Sequence, residues 1–245
     1  MKVEPHSYPV DDRVHVGYLA VPDGFGDGVA RPGVLVFPEA FGVGEHARTK
    51  AEQLARLGYV ALAVDMYGGG KVYEQLDAAR METAALRANR REWRKRARAA
   101  YAALSAHDGV DAGRLAAIGY CFGGATAIEL GRAGDPLAAI ATFHAAVTLK
   151  MVDDQPFSAA VLLCVGADDP LVPPDTVHAL ARELDAAGND WQLHFYGRTV
   201  HSFTNPAADA IGKPDTFRYS PAADRRSWTA LVALLGDTFL DRKQA

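Results

Sequence analysis

Residues 115–130 constrain the fold more than any other stretch of this chain. Leu115-Ala116-Ala117-Ile118 is a short apolar run. It ends in Gly119-Tyr120-Cys121-Phe122-Gly123-Gly124 and is followed by helix-forming residues 125–130. A strand that turns at once into a helix through Gly-x-Cys-x-Gly lifts its central side chain out of the edge of an α/β sheet. The turn is strained, and the flanking glycines are needed because a Cβ beside the central residue has no room. Cys121 stands at the apex and is the candidate nucleophile.

The rest of the chain repeats the same alternation of apolar runs and helical patterns. Residues 33–38, 59–64, 115–118, 137–143, 160–165 and 191–195 read as strands. Residues 14–21 alternate and read as one arm of a β-hairpin. Residues 46–57, 125–130, 174–187 and 221–240 read as helices, and residues 73–104 as a long helix broken once. Pro174 near the start and Gly188 past the end bound the helix at 174–187. The pattern predicts an α/β class fold, a mostly parallel central sheet with helices on both faces. With 245 residues, 49% of them hydrophobic, and no internal repeat or low-complexity linker, it predicts a single domain over 1–245.

Charge and cysteine content narrow the partners. The formal net charge is −4, which asks for no anionic partner, nucleic acid or membrane. The basic run Arg87, Arg90, Arg91, Arg94, Lys95, Arg96 and Arg98 carries no nucleic-acid motif and reads as a solvated helix face. The two cysteines, Cys121 and Cys164, do not make a disulfide framework, and Cys164 sits inside an apolar strand as a core residue. The N-terminus shows no signal-peptide pattern and no apolar run approaches the roughly 18 residues of a membrane span. A reducing, cytoplasmic setting is the expectation. No His/Cys/Asp spacing resembles a metal site, no cofactor is expected, and nothing specifies an oligomer.

Downstream of Cys121 the fold requires an acid and then a histidine, each on a loop after a strand. The acid lies in Gly166-Ala167-Asp168-Asp169-Pro170-Leu171-Val172-Pro173 and the histidine in Tyr196-Gly197-Arg198-Thr199-Val200-His201-Ser202-Phe203. Asp168 and Asp169 compete for the acid role, since either can cap the turn before Pro170. His201 takes the thiol proton and returns it to the leaving group, and the acid fixes its tautomer. The helix dipole beginning at residue 122 favours a negative sulfur. The backbone N–H of Phe122 and of Ala40, past the strand at 33–38, are the expected oxyanion donors. Among the other histidines, His144 follows a strand at the same face and is a candidate pocket residue; His6, His15, His46, His107, His178 and His194 read as surface or core.

Four segments together resemble the dienelactone hydrolase family: Phe37-Pro38-Glu39-Ala40-Phe41-Gly42-Val43, Gly119-Tyr120-Cys121-Phe122-Gly123-Gly124, Gly166-Ala167-Asp168-Asp169-Pro170-Leu171-Val172-Pro173, and His201-Ser202-Phe203. The resemblance implies an α/β-hydrolase fold and a Cys-Asp-His triad with Asp169 as the acid. It implies cleavage of small-molecule esters or lactones, of the carboxymethylenebutenolidase type, through an acyl thioester. It also implies that Glu39 holds the cysteine at rest and swings to help deprotonate it when substrate binds. Members that open dienelactones carry an arginine four residues after the catalytic histidine to hold the substrate carboxylate. Here that position is Asn205, and a neutral amide does not replace a bidentate guanidinium. The segment 204–219, rich in Pro, Gly and Asp, reads as a loop over the site. Two other readings of the residues are a non-catalytic binding protein that kept the fold and a glutamine amidotransferase. The latter pairs its histidine with a glutamate two residues on, where this chain has Phe203.

Overall fold

A computed structural model describes residues 1–240 of the chain. Eight strands form one mostly parallel sheet in the order β1-β2-β4-β3-β5-β6-β7-β8. They are β1 (Lys2–Val10), β2 (Arg13–Val21), β3 (Arg31–Phe37), β4 (Val60–Ala63), β5 (Val110–Tyr120), β6 (Ala139–Phe143), β7 (Ala160–Gly166) and β8 (Trp191–Tyr196). The helices are α1 (Glu45–Arg56), α2 (Leu76–Ala88), α3 (Arg90–Ser105), α4 (Phe122–Arg132), α5 (Pro174–Ala187) and α6 (Pro221–Leu240). Among the described residues no helix is long and apolar enough to cross a membrane. The chain divides into two compact units, Met1–Ile118 and the residues from Gly119 onward.

In the first unit, β1 and β2 form an antiparallel hairpin, turned at Asp11 with φ 49°. β2 runs antiparallel to β4, and β4 runs parallel to β3. β3 and β4 are almost fully buried apolar strands, as strands covered on both faces must be. The long helix expected over 73–104 is two helices. Asn89 ends α2 and caps α3, its side chain accepting the Glu92 N–H at 3.2 Å, an arrangement that satisfies one of the orphan donors of a helix start. Trp93, Ala97, Ala100 and Leu104 form the buried face of α3. The basic run is laced with acids: Arg96 donates to Glu92 and to the Met66 carbonyl, and Lys95 pairs with Asp11 and Glu92. Asp65, fully buried after β4, accepts N–H bonds from Val16, Tyr67, Gly68 and Gly70. It folds the glycine-rich turn at 68–70 around itself.

In the second unit β6, β7 and β8 run parallel, with Phe143 opposite Cys164 and Gly166 opposite Tyr196. Every residue of α4 is buried, including Glu129 and Arg132. Arg132 satisfies its guanidinium on Glu183, Glu129 and Thr148, as a buried charge requires. Cys164 is fully buried with its sulfur 3.6 Å from the Tyr196 hydroxyl, and burial pushes its thiol up to about 12. The segment at 204–219 is more ordered than a loop. It holds a 3-10 helix (Pro206–Ile211) and a short β-bridge between His201 and Phe217.

Candidate active site

The second unit brings three of the expected residues together. β5 ends at Tyr120, and Cys121 takes φ 53°, ψ −115° before α4 begins at Phe122. A non-glycine residue at positive φ is costly, of the order of 1–3 kcal/mol, and persists only where its surroundings hold it. Three bonds hold this one. The Cys121 N–H donates to the Phe143 carbonyl at 2.9 Å, and its own carbonyl accepts from Gly124 and Ala125. A Cβ on Gly119 would lie 2.0 Å from the Gly123 carbonyl oxygen, and one on Gly124 would lie 2.6 Å from the Ala145 Cβ. Both glycines are therefore required by backbone contact. Cys121 is partly exposed, whereas Cys164 is buried. The Phe122 amide opens α4, where the helix dipole favours negative charge.

The two candidate acids part company. Asp169 is buried, its Oδ1 accepting the Leu171 N–H at 2.9 Å and its Oδ2 lying 2.8 Å from His201 Nδ1. Asp168 is exposed and contributes its backbone N–H to the Thr199 carbonyl. That contact belongs to a close approach of the acid and histidine loops. A Cβ on Gly166 would meet the Thr199 oxygen at 2.4 Å.

His201 is 1% exposed, with its backbone N–H on the Thr216 carbonyl and its carbonyl accepting from Arg218. Nδ1 donates to Asp169, so Nε2 is the nitrogen left to exchange a proton, and Nε2 makes no regular hydrogen bond. Burial alone would push the imidazolium down. The negative charge of Cys121 and the Asp169 carboxylate outweigh it and raise His201 to about 10.

His144 is fully buried, with Nε2 on the Thr204 hydroxyl at 2.8 Å and its ring edge-on to His201 at 5.0 Å. Asn205 spends its side-chain oxygen on the Ala207 N–H, capping the 3-10 helix. In the first unit, Glu39 and Ala40 follow β3. The buried Glu39 carboxylate lies 3.7 Å from His46 Nδ1. The Ala40 carbonyl accepts the Tyr67 hydroxyl at 2.7 Å, and the Glu39 carbonyl accepts the Gly42 N–H at 3.2 Å. Sequence reasoning did not single out Thr204, Phe217 or Tyr67. No periodicity or motif spacing marks a residue that acts by touching another loop. Among the described residues no cluster suits a metal ion.

A mostly parallel sheet with a strand–Cys121–helix turn, followed in chain order by an aspartate and a histidine, defines an α/β-hydrolase fold. The dienelactone hydrolase family profile matches residues 16–239, and the chain belongs to that family. It is similar, at 41% identity and TM-score 0.92, to the crystal structure of a dienelactone hydrolase-like promiscuous phosphotriesterase from metagenomic libraries. That match covers 97% of this chain and 98% of that one. A putative dienelactone hydrolase from Klebsiella pneumoniae is 25% identical with TM-score 0.76, over 96% of this chain and 98% of that one. A probable 2-oxo-3-(5-oxofuran-2-ylidene)propanoate lactonase from Bradyrhizobium is 25% identical over 83% of each chain. The chain is an enzyme, a hydrolase acting on ester bonds.

Proposed function

We propose that this hydrolase cleaves carboxylic esters or lactones with Cys121 as nucleophile, His201 as acid and base, and Asp169 as the orienting acid. The observation that carries the reading is the buried Asp169–His201 hydrogen bond of 2.8 Å, which leaves Nε2 for the sulfur of Cys121. His201 Nε2 takes the Cys121 thiol proton, the thiolate attacks the acyl carbon, and the carbonyl electron pair moves onto oxygen. The N–H of Phe122, at the start of α4, receives that oxyanion. As it collapses, the C–O bond to the leaving group breaks and His201 gives its proton to the departing alkoxide. Neutral Nε2 then takes a proton from water, the hydroxide attacks the thioester, and the carboxylic acid leaves as the thiolate is regenerated.

Glu39 enters on the family resemblance as the group that holds and then helps to deprotonate the thiol. Asn205 brings no positive charge, and its oxygen is committed to a cap. The reading therefore favours acyl substrates without a carboxylate over a carboxylated dienelactone. The free thiol fits a reducing, cytoplasmic setting.

The test compares wild type with Cys121→Ala on p-nitrophenyl acetate and on cis- and trans-dienelactone. Cys121-dependent cleavage of the acetate is the expected result, with the dienelactones poor by comparison. Turnover that survives Cys121→Ala sinks the thiol mechanism. Similarity to a promiscuous phosphotriesterase at 41% identity favours adding paraoxon to the panel.

A further inference from the structure

We propose that His144 is a positioning residue for His201. With its neighbour Phe143 it forms a two-residue bracket that sets the separation of nucleophile and base. The proposal rests on the reading of Cys121 and His201 given above.

Two consecutive residues at the end of β6 reach the two reacting groups in different ways. The Phe143 carbonyl accepts the Cys121 N–H at 2.9 Å and so holds the nucleophile's backbone. The next residue, His144, turns its side chain to the base. Its Nε2 shares a hydrogen bond of 2.8 Å with the Thr204 hydroxyl, and its ring stands edge-on to His201 at 5.0 Å and to Phe203 at 5.1 Å. Its own N–H is fixed on the Cys164 carbonyl at 2.8 Å.

The position is held against resistance. His144 has φ 43°, a left-handed conformation that a branched or bulky residue adopts at a cost. It is 0% exposed and Thr204 is 1% exposed, so the pair is sealed from a substrate. A phenyl ring would fill the same space without carrying buried polar atoms. What the imidazole adds is the bond to Thr204.

That bond matters because of where Thr204 lies. It follows His201 in a tight turn, where Ser202 has φ 55° and the Asn205 N–H returns to the Ser202 carbonyl at 3.0 Å. Fixing Thr204 therefore fixes the base loop from the β6 side. Asp169 aims the ring through Nδ1, and Thr216 and Arg218 hold the His201 backbone. The His144–Thr204 bond joins this loop to the strand end that also holds Cys121. A displacement on the order of 1 Å between reacting groups can cost about 100-fold in rate.

The experiment measures kcat and KM on p-nitrophenyl acetate for His144→Phe, Thr204→Val, Thr204→Ser and the His144→Phe/Thr204→Val double variant. Folded fraction is measured by near-UV circular dichroism at the assay temperature. The expected result is a kcat loss of about 10- to 100-fold in His144→Phe and Thr204→Val, with KM little changed. Thr204→Ser, which keeps the hydroxyl, should recover most of the rate, and the double variant should be no worse than the worse single. If His144→Phe does not fold, the Thr204 pair carries the test alone. Losses that follow the folded fraction, additive losses, or a Thr204→Ser as slow as Thr204→Val overturn the proposal. A rise in KM at constant kcat overturns it also, by making His144 a substrate contact. His201→Asn is run alongside. Full activity there refutes the base assignment itself and is distinguishable from a failure of the bracket.

Discussion

Asp169→Asn changes one atom and leaves the volume of the site alone, which makes its effect calculable. In the wild type Oδ1 accepts from the Leu171 N–H and Oδ2 faces His201 Nδ1. In the variant the amide oxygen remains the partner of Leu171, because that backbone donor cannot be turned off. The amide NH₂ then faces Nδ1. His201 must offer a lone pair there, so its proton sits on Nε2, the nitrogen that accepts the thiol proton in the proposed mechanism. Holding the productive tautomer against this puts two buried donors face to face, at about 1–3 kcal/mol. The imidazolium that forms in the reaction also loses a charged acceptor, at about 1.5–3 kcal/mol. Together these are about 2.5–6 kcal/mol, a loss of about 70- to 25,000-fold in kcat. A comparable loss, about 10,000-fold, is known for the same swap in serine-protease triads. Steady-state hydrolysis of p-nitrophenyl acetate checks it, with Asp168→Asn as the paired control. Asp168 is exposed, and its variant should stay within about twofold of wild type. An Asp169→Asn enzyme that keeps more than about a tenth of wild-type kcat, or an Asp168→Asn enzyme that loses as much, refutes the assignment.

Gly119→Ala should abolish turnover and lower Tm by about 6 °C or more, since its Cβ would sit 2.0 Å from a backbone oxygen. A melt and turnover equal to wild type would show that the turn can relax. Arg132→Met should leave three buried carboxylates, Glu129, Asp154 and Glu183, without their cation. A destabilisation of about 3–5 kcal/mol is expected by chemical denaturation, and a loss below about 1 kcal/mol would contradict it. His201 is raised from its ordinary 6.5 to about 10. Its contribution to stability is thus fully present below pH 6.5 and lost as pH rises through 10. Thermal melts between pH 6 and 10.5 should show this loss in the wild type and a shallower one in Cys121→Ala, which lacks the sulfur that helps raise His201. Identical pH profiles for the two would break the link between His201 and the sulfur.

Much of this protein is local and so legible in the chain itself. Apolar runs and helical periodicity placed seven of the eight strands and nearly all the helices, because burial on a sheet face is written residue by residue. The turn at Cys121 was legible because only glycine fits at 119 and 124. β1 was not placed. Its pattern is mostly exposed, and its conformation comes from pairing with β2. The break at Asn89 was foreseen without its position, since a cap competes with strong helix formers on both sides.

The site divides in the same way. Chain order and turn chemistry nominated Cys121, His201 and two adjacent aspartates, but composition cannot tell Asp168 from Asp169. That choice belongs to tertiary structure, where the loop after β7 turns one carboxylate inward onto a histidine 32 residues away and leaves the other in solvent. The family resemblance points to Asp169, and Asp169 is the carboxylate that meets His201. His144 looked like a pocket residue, because a histidine after a strand at the active face fits that description. In the folded chain it is fully buried, edge-on to His201 and bonded to Thr204 across 60 residues of sequence. Local propensity acts over a few residues. The contacts that orient a base, pair Arg132 with its carboxylates and bend Asn205 into a cap depend on how loops distant in sequence meet, and only the folded chain decides that.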